Sequence, residues 1–279
     1  VESREAVDRQ VKFGKARLAP APYHPTGWVL MVDGAAQSYV DLADPTYLRI
    51  PYIEWFGRVL DLHWPAGEPV SAIQVGGGGF TIARYLAATR PGSPQTVYEL
   101  DGPLVDLVRS HLDLDAIADL QVRVEDGEAG IERTPDATAD VVVMDVARAG
   151  FVAVHLAAVE FLREIARVLR PGGLYLGNMW CEPDMTLALR AVAALTEVFP
   201  HVALLAKAGL LLGKSAGNVA LVASDRELPH QALTTGPEDA GNRVFCLSAG
   251  QLAEFRGVAP PLTADHPAEA VTPVARWTR

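Results

Sequence analysis

Cysteine is scarce in this chain: Cys181 and Cys246 are the only two. They show no CxxC spacing, which excludes a disulfide framework and a thiolate zinc site. Basic residues are in deficit as well, with 24 Lys and Arg against 34 Asp and Glu. The resulting net charge of −10 argues against a nucleic-acid backbone as partner and is compatible with a cationic substrate, although acidity also serves solubility alone. Long apolar runs are missing. The stretch from Val202 to Gly213 is short and carries Lys207, so neither a signal peptide nor a membrane span is expected, and the cytoplasm is the simplest compartment. The sequence opens on Val1, which leaves open a longer native chain or a removed leader. The seven histidines show no metal-ligand spacing, so no metal is expected; Ser215 and Ser248 lack a nucleophile-elbow context, which gives no support to a hydrolase. No internal repeat or low-complexity tract is present.

What the chain does hold is an ordinary globular composition, 49% hydrophobic, over a length of 279 residues that fits one large α/β domain or a domain with a small appendage. Its organising stretch is Ala72-Ile73-Gln74-Val75-Gly76-Gly77-Gly78-Gly79, a short apolar strand running into four glycines, followed by a helical pattern from Thr81. About twenty residues later come Glu99 and Asp101. A sharp glycine turn from strand to helix lets backbone N–H groups approach a nucleoside, and an acidic side chain at the end of the next strand is placed to hold a ribose diol.

Read in order, residues 1 to 14 are polar and weakly patterned and are expected to be disordered. A small antiparallel unit is expected over residues 15 to 41, with Asp33-Gly34 as its turn, and then a helix from about Thr46 to Leu62. Strands at 72–75, 96–100, 121–124, 140–145 and 174–178 alternate with helices, a pattern that yields a parallel sheet covered on both faces. Strands at 202–206 and 219–224 have no helix between them and are expected to close the sheet as an antiparallel edge hairpin. This combination resembles the methyltransferase type of Rossmann-like fold, with seven strands, and the chain divides into residues 1–62, 63–225 and a peripheral tail at 226–279.

Each candidate site residue has a plainer alternative. The glycines Gly76 to Gly79 also suit a tight loop for its own geometry. Asp126-Gly127 closes the third strand where an adenine would lie, yet Asp-Gly is a common turn dipeptide. Asp145 ends the fourth strand, where carboxyl ends of parallel strands line a ligand crevice; a helix cap or loop hydrogen bond is the alternative to proton transfer.

The ordered set of motifs resembles the spermidine synthase family of polyamine aminopropyltransferases over roughly residues 28 to 224. Leu30-Met31-Val32-Asp33-Gly34-Ala35-Ala36-Gln37 is similar to that family's LxLDGxxQ hairpin, and Asp44-Pro45-Thr46-Tyr47 to its following segment. Val75 to Gly79 stands in the GGGDG position, Glu99-Leu100-Asp101 in the E-I-D position, and Asp140 to Asp145 in the strand leading to the catalytic aspartate. The resemblance implies an adenosyl co-substrate, decarboxylated S-adenosylmethionine or S-adenosylmethionine, with no tightly bound cofactor. It implies that Gln37 and Glu99 hold the nucleoside, Asp126 the adenine, that Asp145 takes the proton or orients an attacking amine, and that Tyr47 flanks the amine channel. It also implies a homodimer.

Departures accompany the matches. The family's aspartate in GGGDG is Gly79 here, Phe80 replaces the next glycine, and Asp145 is followed by Val146-Ala147-Arg148-Ala149 in place of a second acidic residue. Hydrogen bonds to charged groups contribute about 1.5–3 kcal/mol each, so the loss of two amine-binding carboxylates costs roughly two to four orders of magnitude in amine use. Arg148 adds repulsion toward a cation, and a glycine at 79 removes a charge that would exclude S-adenosylmethionine itself. Three readings therefore stay open: an aminopropyltransferase with altered amine or donor preference, a methyltransferase, and a non-catalytic nucleoside-binding homologue.

Overall fold

A computed structural model of the chain describes residues 4–22, 24–146, 151–235, 243–265 and 269–270. Four strands open it: β1 (Val7–Val11), β2 (Gly14–Pro20), β3 (Gly27–Val32) and β4 (Ala35–Asp41), paired antiparallel in that order. The turn expected at Asp33-Gly34 joins β3 to β4. The disorder expected over residues 1 to 14 does not extend to β1, which pairs with β2 from Val7↔Leu18 to Val11↔Gly14. Its polar residues Asp8, Arg9 and Gln10 are exposed, as an edge strand with one wet side requires, and this is why no apolar pattern announces it.

Helix α1 (Pro51–His63) starts five residues after the expected Thr46. Pro51 fixes the start: its ring suits the first helical turn and pushes Ile50 into extended backbone, φ −80° and ψ 125°. The apolar side of α1, including Tyr52, Ile53, Phe56 and Leu60, then joins one core with Leu86, Val141, Leu176 and Val222.

The alternation follows: β5 (Ala72–Val75), α2 (Thr81–Thr89), β6 (Gln95–Tyr98), α3 (Gly102–His111), β7 (Leu120–Arg123), α4 (Gly127–Arg133), β8 (Ala139–Met144) and β9 (Phe151–Val152). Next come α5 (Val159–Val168), β10 (Leu169–Cys181), α6 (Thr186–Thr196), β11 (His201–Lys207), α7 (Ala208–Leu211) and β12 (Gly217–Ser224). The chain ends with α8 (His230–Leu233), β13 (Val244–Ser248), α9 (Ala249–Arg256) and β14 (Glu269–Ala270), the last paired with β9.

The large sheet runs β13-β11-β12-β10-β8-β5-β6-β7. Its β10, β8, β5, β6 and β7 are mutually parallel, and β12, β11 and β13 are joined by antiparallel pairings. The sheet thus has eight strands where seven were expected. The extra one is β13, from the part of the chain read as a peripheral tail: its backbone pairs with β11 from Ala203↔Ser248 to Lys207↔Val244, covering an edge that would otherwise be bare. Among the described residues no helix is long and apolar enough to cross a membrane.

Strand order fixes where a ligand can sit. The chain leaves β5 toward β6 and β7 on one side, and β8 and β10 lie on the other, so the carboxyl ends of β5, β6, β7 and β8 open onto one crevice at the switch point. The small N-terminal sheet lies over that crevice.

Candidate active site

A cavity of about 300 Å³ lies in this crevice. Gly76, Gly77 and Gly78 form its floor after β5, Glu99 and Asp101 come from the end of β6, Asp126 and Gly127 from the end of β7, and Asp145 from the end of β8. Phe13, Val32, Gln37 and Ser38 reach it from the N-terminal sheet.

Backbone geometry explains the glycines. Gly76 has φ 91°, and a Cβ there would collide with the carbonyl oxygen of Asp145, so β5 and β8 meet across this residue with no room for a side chain. Gly79 is not itself on the cavity lining and packs against β4. Its N–H donates to Ser38 Oγ at 2.9 Å, and a Cβ would stand 2.8 Å from Ser38 Cβ and 2.9 Å from Val40 Cγ2. Phe80 follows in the left-handed region at φ 58° and is fully buried, as the N-cap residue of α2. The missing aspartate at position 79 is therefore a matter of packing: a carboxylate side chain has no space there while the N-terminal sheet is docked.

The carboxylates are occupied to different degrees. Glu99 Oε2 accepts from Gly77 N at 2.7 Å and Gly78 N at 3.3 Å, and Oε1 accepts from Asp101 N at 2.9 Å, so this side chain shapes the glycine loop. Asp101 is buried and caps α3, accepting from Leu104 N at 3.0 Å; the same carboxylate takes Lys12 N at 3.1 Å and Phe13 N at 3.2 Å, which ties the β1–β2 turn to the cavity wall. Asp126 caps α4 through Oδ1, which accepts from Glu128 N at 2.9 Å and Ala129 N at 3.2 Å.

Asp145 is different. Its Oδ2 accepts from the Tyr52 hydroxyl at 3.1 Å, and its Oδ1 accepts from Asn178 Nδ2 at 2.9 Å. Asn178 Oδ1 in turn accepts from Asn218 Nδ2 at 2.9 Å, so a chain of side chains from β12 through β10 ends on the β8 carboxylate. Burial pushes the Asp145 carboxyl up to about 6, the bonds from Asn178 and Tyr52 pull it back, and the Glu99 charge adds a smaller push upward. Burial and the adjacent carboxylate hold the Tyr52 phenol well above its ordinary value, so it stays a donor.

One candidate catalytic residue lies elsewhere. Tyr47 lines a separate open cleft of about 860 Å³ with Arg49, Glu54 and Asp61, and its ring stacks on His24 at 4.6 Å. Arg148 lies outside the described residues. Tyr52, Ser38, Asn178 and Asn218 carry no local sequence signature. A strand-end position was the one signal available for Asn178. Among the described residues no group of His, Cys, Asp and Glu is arranged to hold a metal ion.

Comparison with known proteins places this geometry. A methyltransferase-domain family model matches residues 73–177, from β5 into β10. A probable spermidine synthase from Corynebacterium glutamicum is 28% identical, with a TM-score of 0.85 over 97% of this chain and 100% of that one. The spermidine synthase of Thermotoga maritima is 17% identical with a TM-score of 0.60, over 82% of this chain and 75% of that one. A spermidine synthase in complex with the transition-state analogue AdoDATO is 17% identical, with a TM-score of 0.59 over the same shares of the two chains. At 17% identity the likeness concerns the fold, whereas the C. glutamicum protein matches along nearly the entire chain, N-terminal sheet included. The chain has a Rossmann-like methyltransferase fold, and along nearly its whole length it is similar to a probable spermidine synthase.

Proposed function

We propose that the protein transfers an alkyl group from the sulfonium of an adenosyl donor to the nitrogen of a small amine, in its simplest form the aminopropyl group of decarboxylated S-adenosylmethionine. The charge of the cavity carries this reading. Glu99, Asp101, Asp126, Glu128 and Asp145 line it, and no Lys or Arg stands among its described lining residues. Such a wall favours a sulfonium and an amine and repels a phosphorylated ligand.

The donor supplies an electrophilic carbon next to its sulfonium. The amine nitrogen attacks that carbon, the carbon–sulfur bond breaks with its electron pair left on sulfur, and a thioether nucleoside departs. Asp145 takes the proton shed by the new ammonium. With its pKa raised to about 6 it is ionised at neutral pH and remains a better base than an ordinary carboxylate. Tyr52 and Asn178 fix its two oxygens. In this reading Gln37 and Glu99 meet the ribose and Asp126 the adenine.

Methyl transfer from S-adenosylmethionine is the second reading, and the packing at Gly79 favours it: no carboxylate can stand there to repel the donor's own carboxylate. Calorimetry with S-adenosylmethionine, its decarboxylated form and methylthioadenosine separates the two. Tighter binding of the decarboxylated donor is expected. Preference for S-adenosylmethionine supports methyl transfer, and no heat with any of the three leaves a homologue that does not use an adenosyl donor.

A further inference from the structure

We infer that Phe13, on the turn between β1 and β2, is a recognition residue for the nucleoside base, its ring stacking on the purine. This rests on the adenosyl-donor reading above and adds to it a residue from the N-terminal sheet. Phe13 lines the cavity at the end of β6, where Leu100, Asp101 and Leu104 line it too. Its N–H donates to Asp101 Oδ2 at 3.2 Å, and the Lys12 N–H donates to Oδ1 at 3.1 Å. Asp101 N donates in turn to Glu99 Oε1 at 2.9 Å, so the turn is fastened beside the acid assigned above to the ribose.

The turn is held from several sides. Val11, just before it, is buried in one core with Val32, Leu104 and Val108. Lys12 Nζ donates to the Leu100 carbonyl at 3.4 Å and stands 5.3 Å from the centroid of the Phe13 ring. Past the turn, Lys15 N donates to Asp33 Oδ1 at 2.8 Å, which joins it to the link between β3 and β4. Val11 thus supplies the core anchor, and Phe13 is only partly buried, an aromatic ring placed in the cavity wall. Leu100, 39% exposed, is a second apolar side chain on that wall. A flat base laid against Phe13 and Leu100 covers this surface through its π face, a contact that needs no hydrogen bond. The amino edge of the base is then left to Asp126, at the end of the adjoining strand β7.

The test is calorimetry of the full chain with methylthioadenosine, in the parent, Phe13→Leu and Phe13→Tyr. Leucine keeps an apolar side chain and loses the π face; tyrosine keeps the ring. Phe13→Leu is expected to weaken binding roughly 10- to 100-fold, and Phe13→Tyr to stay close to the parent. Isotope-filtered NMR of the parent complex, with carbon-13-labelled phenylalanine, is expected to show nuclear Overhauser contacts from the adenine protons to a phenylalanine ring. Phe13→Leu should remove them. Unchanged affinity in Phe13→Leu, a loss in Phe13→Tyr as large as in Phe13→Leu, or a complex without contacts from adenine to the Phe13 ring overturns the inference and leaves the adenosyl-donor reading standing. A parent chain that binds no methylthioadenosine overturns both.

Discussion

Asn178 Nδ2 donates to Asp145 Oδ1 across 2.9 Å, and that bond is the largest of the influences lowering the carboxyl's pKa against the push of burial. The two residues sit 33 positions apart on neighbouring parallel strands, in which Gly177 pairs with Met144. Asn178→Leu therefore removes a donor from a carboxylate that has few. We expect the acid limb of the pH–rate profile, near pH 6 in the parent, to move upward, with activity at pH 8 reduced far less than at pH 6. An unmoved limb would remove Asn178 from this role. Asn218→Ala, one bond further out, is expected to shift the limb in the same direction by a smaller amount.

The raised pKa also makes Asp145 a cost to the fold. Its ordinary value is 3.8 and its folded value about 6, so the folded state keeps the proton to higher pH than the unfolded state does. The stabilising contribution is complete below about pH 4 and is lost as pH rises through about 6. Asp145→Asn mimics the protonated form. It should abolish transfer and leave methylthioadenosine binding nearly intact. At pH 7 to 8 it should also raise stability by about 1–3 kcal/mol, the lower end applying if water in the cavity screens the charge. Thermal melts at pH 4 and pH 8 check the sign: the gain belongs at pH 8, and a gain confined to pH 4 refutes the assignment.

Gly79→Asp reads differently in the sequence and in the structure. By resemblance it restores a donor-gripping charge; by geometry it drives a side chain into Ser38 and Val40. We expect a loss of about 1–3 kcal/mol, as overpacking usually brings, and no improvement in binding of the decarboxylated donor. Gly79→Ala should show most of the same loss. A Gly79→Asp protein with an unchanged melting temperature and a tighter donor would sink the packing account.

The sheet was legible because β5 and β8 are mainly apolar runs bounded by glycine, proline and acidic residues, and local pattern dictates such strands. β1 and β13 were not. β1 has exposed residues on most of its length, and β13 is a five-residue strand whose partner β11 lies about forty residues earlier, so only the assembled edge selects it. The strand-end rule pointed to Glu99, Asp126 and Asp145 as lining one crevice, since position at the end of a parallel strand is itself a sequence signal. It had no means of finding Tyr52, which meets Asp145 from 93 residues away at the first turn of α1. Nor could it see that Gly79 is set by β4, because the distance between a loop and a strand from another sheet is not written in either segment alone.

Asp101 binds the two amides of the β1–β2 turn with the same carboxylate that starts α3. In protein-engineering terms, the N-terminal sheet is not a detachable cassette. Residues 4–41 grafted onto another methyltransferase core would arrive with two amides in need of an acceptor, and only a recipient with an acid at the junction between its second strand and the following helix can provide one.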